Sequence, residues 1–249
     1  MLAEYSSTSP LAPPKTFRVD LLPHAIALQA NNFATCALIH DGTVWCGGGP
    51  HHHAPTVVAG LEHVVRLAVG AFHACAVHAD GSVRCWGESG GRSLTHPTQI
   101  ADVGDAIGIA AGNFHTCILR RGGRVACWGG NSRQQAGPFD AEYDVFLGMI
   151  GSPPIRDLLR PRPVPVETYS AAYEVAAGYY ATCIRGENDA PICWGQNTFG
   201  QLGNGLRQPT SPPVFAKWQK AWERPTVASW DLDHCVVSAF GECSLGVFA

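Results

Sequence analysis

The sequence predicts an all-β protein: a β-propeller of about five blades, four short strands each, standing as an open or incomplete ring. Three observations carry that expectation. The ten cysteines, Cys36, Cys46, Cys75, Cys85, Cys117, Cys127, Cys183, Cys193, Cys235 and Cys243, fall in pairs spaced 10, 10, 10, 10 and 8 residues apart. The strings around them repeat with a period near 40 residues: FATCALIHDGTVWC, FHACAVHADGSVRC, FHTCILRRGGRVAC, YATCIRGENDAPIC and a degraded LDHCVVSAFGEC. Further β-like stretches flank the pairs at residues 63–70, 97–103, 106–112 and 173–178. Four short strands in about 40 residues is the signature of a propeller blade. A lone blade cannot bury both of its faces, so neighbours must stack on it.

Each cysteine pair reads as a hairpin of definite register. A three-residue loop His40-Asp41-Gly42 makes Ile39 face Thr43, Leu38 face Val44 and Cys36 face Cys46. Gly42, Gly81 and Gly123 occupy the third loop position, where a left-handed residue closes a three-residue hairpin, and Asp189 takes that place in the fourth copy. The facing cysteines fit cross-strand disulfides on a closely spaced pair; the other reading is ten buried thiols. Outside the hairpins, Asn31, Gly70, Gly112 and Gly178 stand five residues before a first cysteine, residue types suited to left-handed backbone. Phe33, Phe72, Phe114, Tyr180 and Leu232 form a large apolar column three residues before it.

Composition excludes several classes. Hydrophobic residues make up 46% of the 249-residue chain, enough for a packed core rather than disorder. No uninterrupted apolar stretch approaches the ~18 residues of a membrane-spanning helix, and a net charge of −3 lacks the footprint of a nucleic-acid binder. Disulfides would place the chain in an oxidising, secreted or extracellular-facing setting. The N-terminus MLAEYSSTSPLAPPKTF shows no signal peptide, which leaves a cytoplasmic, reduced protein as the alternative.

The string CWGQNTFGQLGNG at 193–205, preceded by VAAGYYATCI, resembles the repeat of the regulator of chromosome condensation family, whose members are β-propellers. CWGGNSRQQAG at 127–137 matches it more weakly, aligning Gln135 and Gly137 with Gln201 and Gly203. The paired Cys-Trp-Gly version is similar to cysteine-bearing members, including plant receptor-kinase ectodomains of the Crinkly4 type. The resemblance covers residues 25–249, with residues 1–24 as a flexible tail and insertions near 138–167 and 206–225. It implies a propeller usually of seven blades, against five hairpins counted here.

Candidate chemistry is sparse. His73 and His115 recur two residues before their cysteines, but opposed strands with C-x9-C spacing are not a zinc pattern, and both read as structural. His51, His52 and His53 are adjacent in a loop and share no face of an element. Asp231 with Asp233, and Asp140 with Glu142 and Asp144, read as solvated carboxylates. No nucleophile elbow, Walker-type loop or HExxH occurs, so no catalytic residue, metal or cofactor is expected.

The first insertion joins Phe139, Tyr143 and Phe146 to Arg156, Arg160 and Arg162 without evident strands of its own, and reads either as a partner-binding loop or as a cap. The second contains VFAKWQKAWER at 214–224, read as a short amphipathic helix with a basic side. The expectation is a non-enzymatic module, a monomer or part of a larger chain, holding a protein or peptide partner through blade loops and insertions. The resemblance implies the alternatives, guanine-nucleotide exchange or a ubiquitin-ligase-associated role; an enzyme with its site in the channel is the weakest reading.

Overall fold

The computed structural model describes residues 24–31, 34–48, 53–150, 155–168, 170–186, 191–216, 236–237 and 243–244. All regular structure among them is strand. The first blade is β1 (Ala25–Ala30), β2 (Ala34–Ile39), β3 (Val44–Gly48) and β4 (His53–Val57). The second is β5 (Val64–Val69), β6 (His73–His78), β7 (Val83–Ser89) and β8 (Arg92–Gln99). The third is β9 (Ala106–Ala111), β10 (His115–Arg120), β11 (Val125–Gly130), β12 (Val145–Ile150) and β13 (Ile155–Val166). The fourth is β14 (Ala172–Ala177), β15 (Ala181–Gly186), β16 (Pro191–Asn197) and β17 (Gln208–Phe215). A two-stranded ladder, β18 (Val236–Val237) and β19 (Cys243–Ser244), belongs to the fifth copy.

Three blades are simple antiparallel meanders, and the third runs β9-β10-β11-β13-β12. No strand of one sheet pairs with a strand of another among the described residues, so the ring is not closed by strand pairing. The hairpins hold the expected register: Leu38 faces Val44 and Cys36 faces Cys46, and the same offset pairs Cys75 with Cys85, Cys117 with Cys127 and Cys183 with Cys193. All four pairs are disulfides with Cα atoms 4.1 Å apart. Each closes a ten-residue separation and stabilises by about 2–3 kcal/mol through the short loop it ties. The pairing expected of Cys235 with Cys243 and the loop residue Asp189 lie outside the described residues; Cys243 itself pairs with Val237 in register.

Each disulfide sits on one face of its blade, and in the first three blades that face packs on the following blade. Cys36, Leu38 and Val44 meet Leu67, Val69, Ala74 and Ala76. Cys75, Val77, Val83 and Cys85 meet Ile118, Ala126 and Trp128. Cys117, Leu119, Val125 and Cys127 meet Ile184, Ile192 and Trp194. Trp86, Trp128 and Trp194 each reach back to the preceding blade. The glycine after each Trp has φ of +81°, +99° and +106°. There the next amide can donate to the carbonyl of Phe72, Phe114 or Tyr180, at 2.7–2.8 Å.

Two expectations are corrected. The first insertion is not strandless: β13 is the outer strand of the third blade, and its first half pairs with β12 as an added arm. The second insertion opens as strand rather than helix, because Val214 and Phe215 complete β17 opposite Cys193 and Ile192; residues 217–224 lie outside the described part.

Candidate functional site: an aromatic face at the channel mouth

The four innermost strands, β1, β5, β9 and β14, line a cleft of about 220 Å³. Among the described residues its wall is mostly apolar side chains and backbone, with Gln29, Asn31 and Asn113 as polar additions and Tyr179 as the one ionisable group. At one end each inner strand bends sharply into the second strand of its blade. Backbone bonds join the bends of neighbouring blades, Ala71 N–H to Asn113 O and Asn113 N–H to Tyr179 O, both 3.3 Å. The bends of the second, third and fourth blades therefore form a continuous rim.

Of the column read as apolar, Phe72, Phe114 and Tyr180 lie on this rim and are partly in solvent, while Phe33 and Leu232 lie outside the described residues. Phe72 is 48% and Phe114 38% exposed. Their rings stack at 5.6 Å, Phe114 stacks on Tyr180 at 5.9 Å, and Tyr179 meets Tyr180 edge-on at 4.5 Å. Sequence reasoning found the column but not its exposure. The sign available was its position: it directly precedes the residue that enters the blade, so it projects from the bend and not from a packed face.

Beneath the rim lies a polar joint that ties blades together. His73 Nε2 is 2.7 Å from Thr116 Oγ1 of the next blade, and His115 Nε2 is 2.8 Å from Thr182 Oγ1. Thr182 donates its own proton to Gln135 O at 2.8 Å, so its oxygen accepts from His115, whose Nε2 carries the hydrogen. Trp194 Nε1–H donates to the same carbonyl at 3.0 Å. Burial holds the His73 imidazole down to about 4. Burial, with His73 nearby, takes His115 down to about 3. The histidines are neutral structural bolts, and among the described residues no three His, Cys, Asp or Glu converge as metal ligands.

This joint revises the reading of Gly70 and Gly112, neither of which has a left-handed φ. They are small because space is absent: a Cβ on Gly70 would lie 2.7 Å from His73 Nδ1 and 2.6 Å from Gly112 O. A Cβ on Gly112 would lie 2.6 Å from His115 Nδ1 and would collide with the carbonyl of Gly178. In the first blade residue 34 is Ala, and Asn31 has room for a side chain that reaches toward Val69 O at 3.5 Å.

The insertion residues are divided by the structure. Arg160, expected as an exposed anchor, is 2% exposed. It grips Asp144 through Nε at 2.9 Å and Nη2 at 3.1 Å, and donates to Pro138 O at 2.9 Å. Asp144, expected in solvent, is buried here and also accepts from Asn131 Nδ2 and the Asp140 amide. A guanidinium fork satisfied on both edges locks the loop 131–144 to β13. Phe139 is 55% exposed, and the exposed Arg162 lies over the Tyr143 ring at 5.4 Å. Asp140 and Glu142 are exposed. Phe146 and Arg156 lie on β12 and β13. Of the histidine run, His53 opens β4; His51, His52, Asp231 and Asp233 lie outside the described residues.

The loops after β11 and β16 share one internal design. Asn131 Oδ1 accepts from Ala136 N–H and Asn197 Oδ1 from Leu202 N–H, while Gln135 and Gln201 each accept an amide two residues back. Comparison with known proteins agrees with this repetition. Residues 64–90 and 106–135 match the family model of the regulator of chromosome condensation (RCC1) repeat, so the second and third blades carry RCC1 repeats. The chain has the fold of an RCC1-like repeat propeller.

Among solved structures it is similar to yeast RCC1 (Prp20) bound to Kap60, with 20% identity and a TM-score of 0.64 over 82% of this chain and 50% of that one. Prp20p from Saccharomyces cerevisiae, described with its binding to Gsp1p and histones, gives 20% identity and 0.65 over 78% and 50%. Human WBSCR16 gives 18% identity and 0.62 over 83% and 56%. The chain thus spans about half the length of these neighbours. No curated protein matches it in sequence.

Proposed function

We propose that this chain is a non-enzymatic binding module that holds a protein or peptide partner on its aromatic rim. The observation that carries the reading is the row Phe72, Phe114 and Tyr180, stacked and solvent-facing on bends fixed by backbone bonds between blades. Aromatic side chains on a rigid base are the usual anchors of protein interfaces, because they bury much area and lose little entropy. Phe139 and the Tyr143–Arg162 pair, on the insertion that leaves the third blade, are proposed as the flank of the same surface. The four cystines support work in an oxidising compartment. That Prp20 binds proteins supports the class of activity and not the identity of the partner.

The test compares the full chain with Phe72→Ser/Phe114→Ser as bait in material from the native source, with circular dichroism confirming both folded. Partners that bind the wild type and dissociate at least about tenfold faster from the variant are expected, since two central anchors are lost. Identical partners with unchanged off-rates would remove the rim from the reading.

A further inference from the structure

Four asparagines are buried among the described residues: Asn113, Asn131, Asn197 and Asn204. Three of them use their amides inside the fold. Asn131 donates to Asp144 and accepts from Ala136 N–H, and Asn197 donates to Asn204 Oδ1 and to Leu206 O. Asn113 is 7% exposed, yet its side chain makes no hydrogen bond among the described residues. Neither of its amide atoms is sealed from solvent. A buried amide without a partner is an exception that needs a cause. The fold does not supply one. The second blade has Ala71 at the same position, 5% exposed, and makes the same backbone bond across the rim.

Asn113 lines the cleft between the inner strands together with Gln29 and Tyr179. The Gln29 amide and the Tyr179 hydroxyl likewise have no hydrogen-bond partner among the described residues. Gln29 stands in the register that Ala68, Ala110 and Ala176 fill on the other inner strands. Tyr179, like Asn113, takes the place of Ala71 in its blade. Three positions where the repeat accepts alanine therefore carry neutral polar side chains, and all three line one cleft. Among the described residues no Lys, Arg, His, Asp or Glu lines it. The Tyr179 ring is held nearly perpendicular to Tyr180 at 4.5 Å and to Phe114 at 6.5 Å.

We propose that this cleft binds one uncharged sugar ring. A charged ligand would lose its hydration there and meet no opposite charge. The amides and the phenol each both donate and accept, as every sugar hydroxyl does. The apolar C–H face of a pyranose suits the Tyr179 ring, which offers an apolar body beside its polar tip. The volume of 220 Å³ equals about seven waters at ~30 Å³ each, room for a single sugar ring and not for a folded peptide segment. The inference goes beyond the protein-binding reading, which concerns the row Phe72, Phe114 and Tyr180 and not the cleft.

The test is ligand-observed NMR titration of the full chain with glucose, galactose, mannose and N-acetylglucosamine. Glucuronate, glucosamine and acetamide serve as the charged and amide arms. At least one neutral sugar should bind, and more tightly than any of those three. Asn113→Ala and Tyr179→Phe should each raise its dissociation constant about fivefold, the loss of one hydrogen bond. The urea midpoint of Asn113→Ala should be no lower than that of the wild type, since no bond within the fold is lost. No binding by any neutral sugar overturns the proposal, as does equal binding of a charged or amide arm, or binding insensitive to both substitutions. Should Tyr179→Phe fail to fold, Asn113→Ala decides alone. The two readings fail separately: a chain that holds a protein on its rim but binds no sugar overturns only this one. Sugar binding with partner capture unchanged by Phe72→Ser/Phe114→Ser overturns only the other.

Discussion

The first blade junction and the two that follow it solve one packing problem by different means. At the second and third junctions a buried histidine crosses to a threonine of the next blade, His73 to Thr116 and His115 to Thr182. At the first junction the equivalent positions are Ala34 and Ala74, so no histidine–threonine pair crosses it and the packing beneath the rim is apolar. The stacking of a cystine face on its neighbour is the same in all three. The polar pair is thus an addition to the interface and not its foundation, and it comes with a requirement. His73 and His115 lie directly against Gly70 and Gly112, while Ala34 permits Asn31.

The largest break in that comparison is expected from acid. His73 and His115 have folded-state pKa values lowered to about 4 and about 3, against an unfolded value near 6.5. Between those values the unfolded chain binds protons that the native chain refuses. Stability therefore falls as pH drops from about 6.5 toward 4, by up to ~1.4 kcal/mol per pH unit for each histidine. Urea midpoints measured across this range should decline steeply in the wild type. His73→Ala/His115→Ala should flatten the decline, and an unchanged slope would show that the histidines do not control it. Asp41 and Asp80, lowered by hydrogen bonds from Thr43 and Ser82, titrate in both proteins and cancel in the difference.

Next in size is Gly112→Ala, which should cost about 3 kcal/mol, because the new methyl must displace the His115 ring or the Gly178 carbonyl. In the His115→Ala background the cost should shrink, as the Asn31–Ala34 combination implies. A double-mutant cycle measures this coupling, and strict additivity would mean that ring and glycine do not share the space. Gly104→Ala, with nothing within 4 Å of the added Cβ, is the control.

These couplings also mark where the sequence was legible. Hairpin register followed from a fixed loop length and a two-residue alternation, so facing cysteines could be placed before any coordinates. The outer strands were hardly legible, the stretch read at 97–103 meeting β8 only at its end, because proline stood in all of them: Pro55, Pro97, Pro161, Pro163, Pro165, Pro209, Pro212 and Pro213. Proline suits a blade's outer strand, where one edge has no partner and a missing N–H blunts pairing with another chain. Read along the sequence, the same residues resemble breaks between copies. The site was legible as a pattern and opaque as a surface. A phenylalanine three residues before a cysteine reads as core, and only the bend turns it outward. Arg160 failed in the opposite sense, since its buried partner Asp144 is 16 residues away and appears only when loop 131–144 folds back.

The smallest effect comes from transplanting the polar pair. Asn31→Gly/Ala34→His/Ala74→Thr would give the first junction the residues of the second, with the glycine clearing room for the new ring. A net hydrogen bond contributes about 1 kcal/mol, and burying an imidazole offsets much of that. Stability at neutral pH should therefore move by no more than about 1 kcal/mol in either direction. The informative quantity is the slope. A third buried histidine should steepen the loss of stability below pH 6.5, by the same proton linkage that acts at the other junctions. If neutral stability is kept and the slope steepens, the pair is a portable module of the repeat. If the variant unfolds at neutral pH, the apolar first junction has a geometry of its own that the alanines serve.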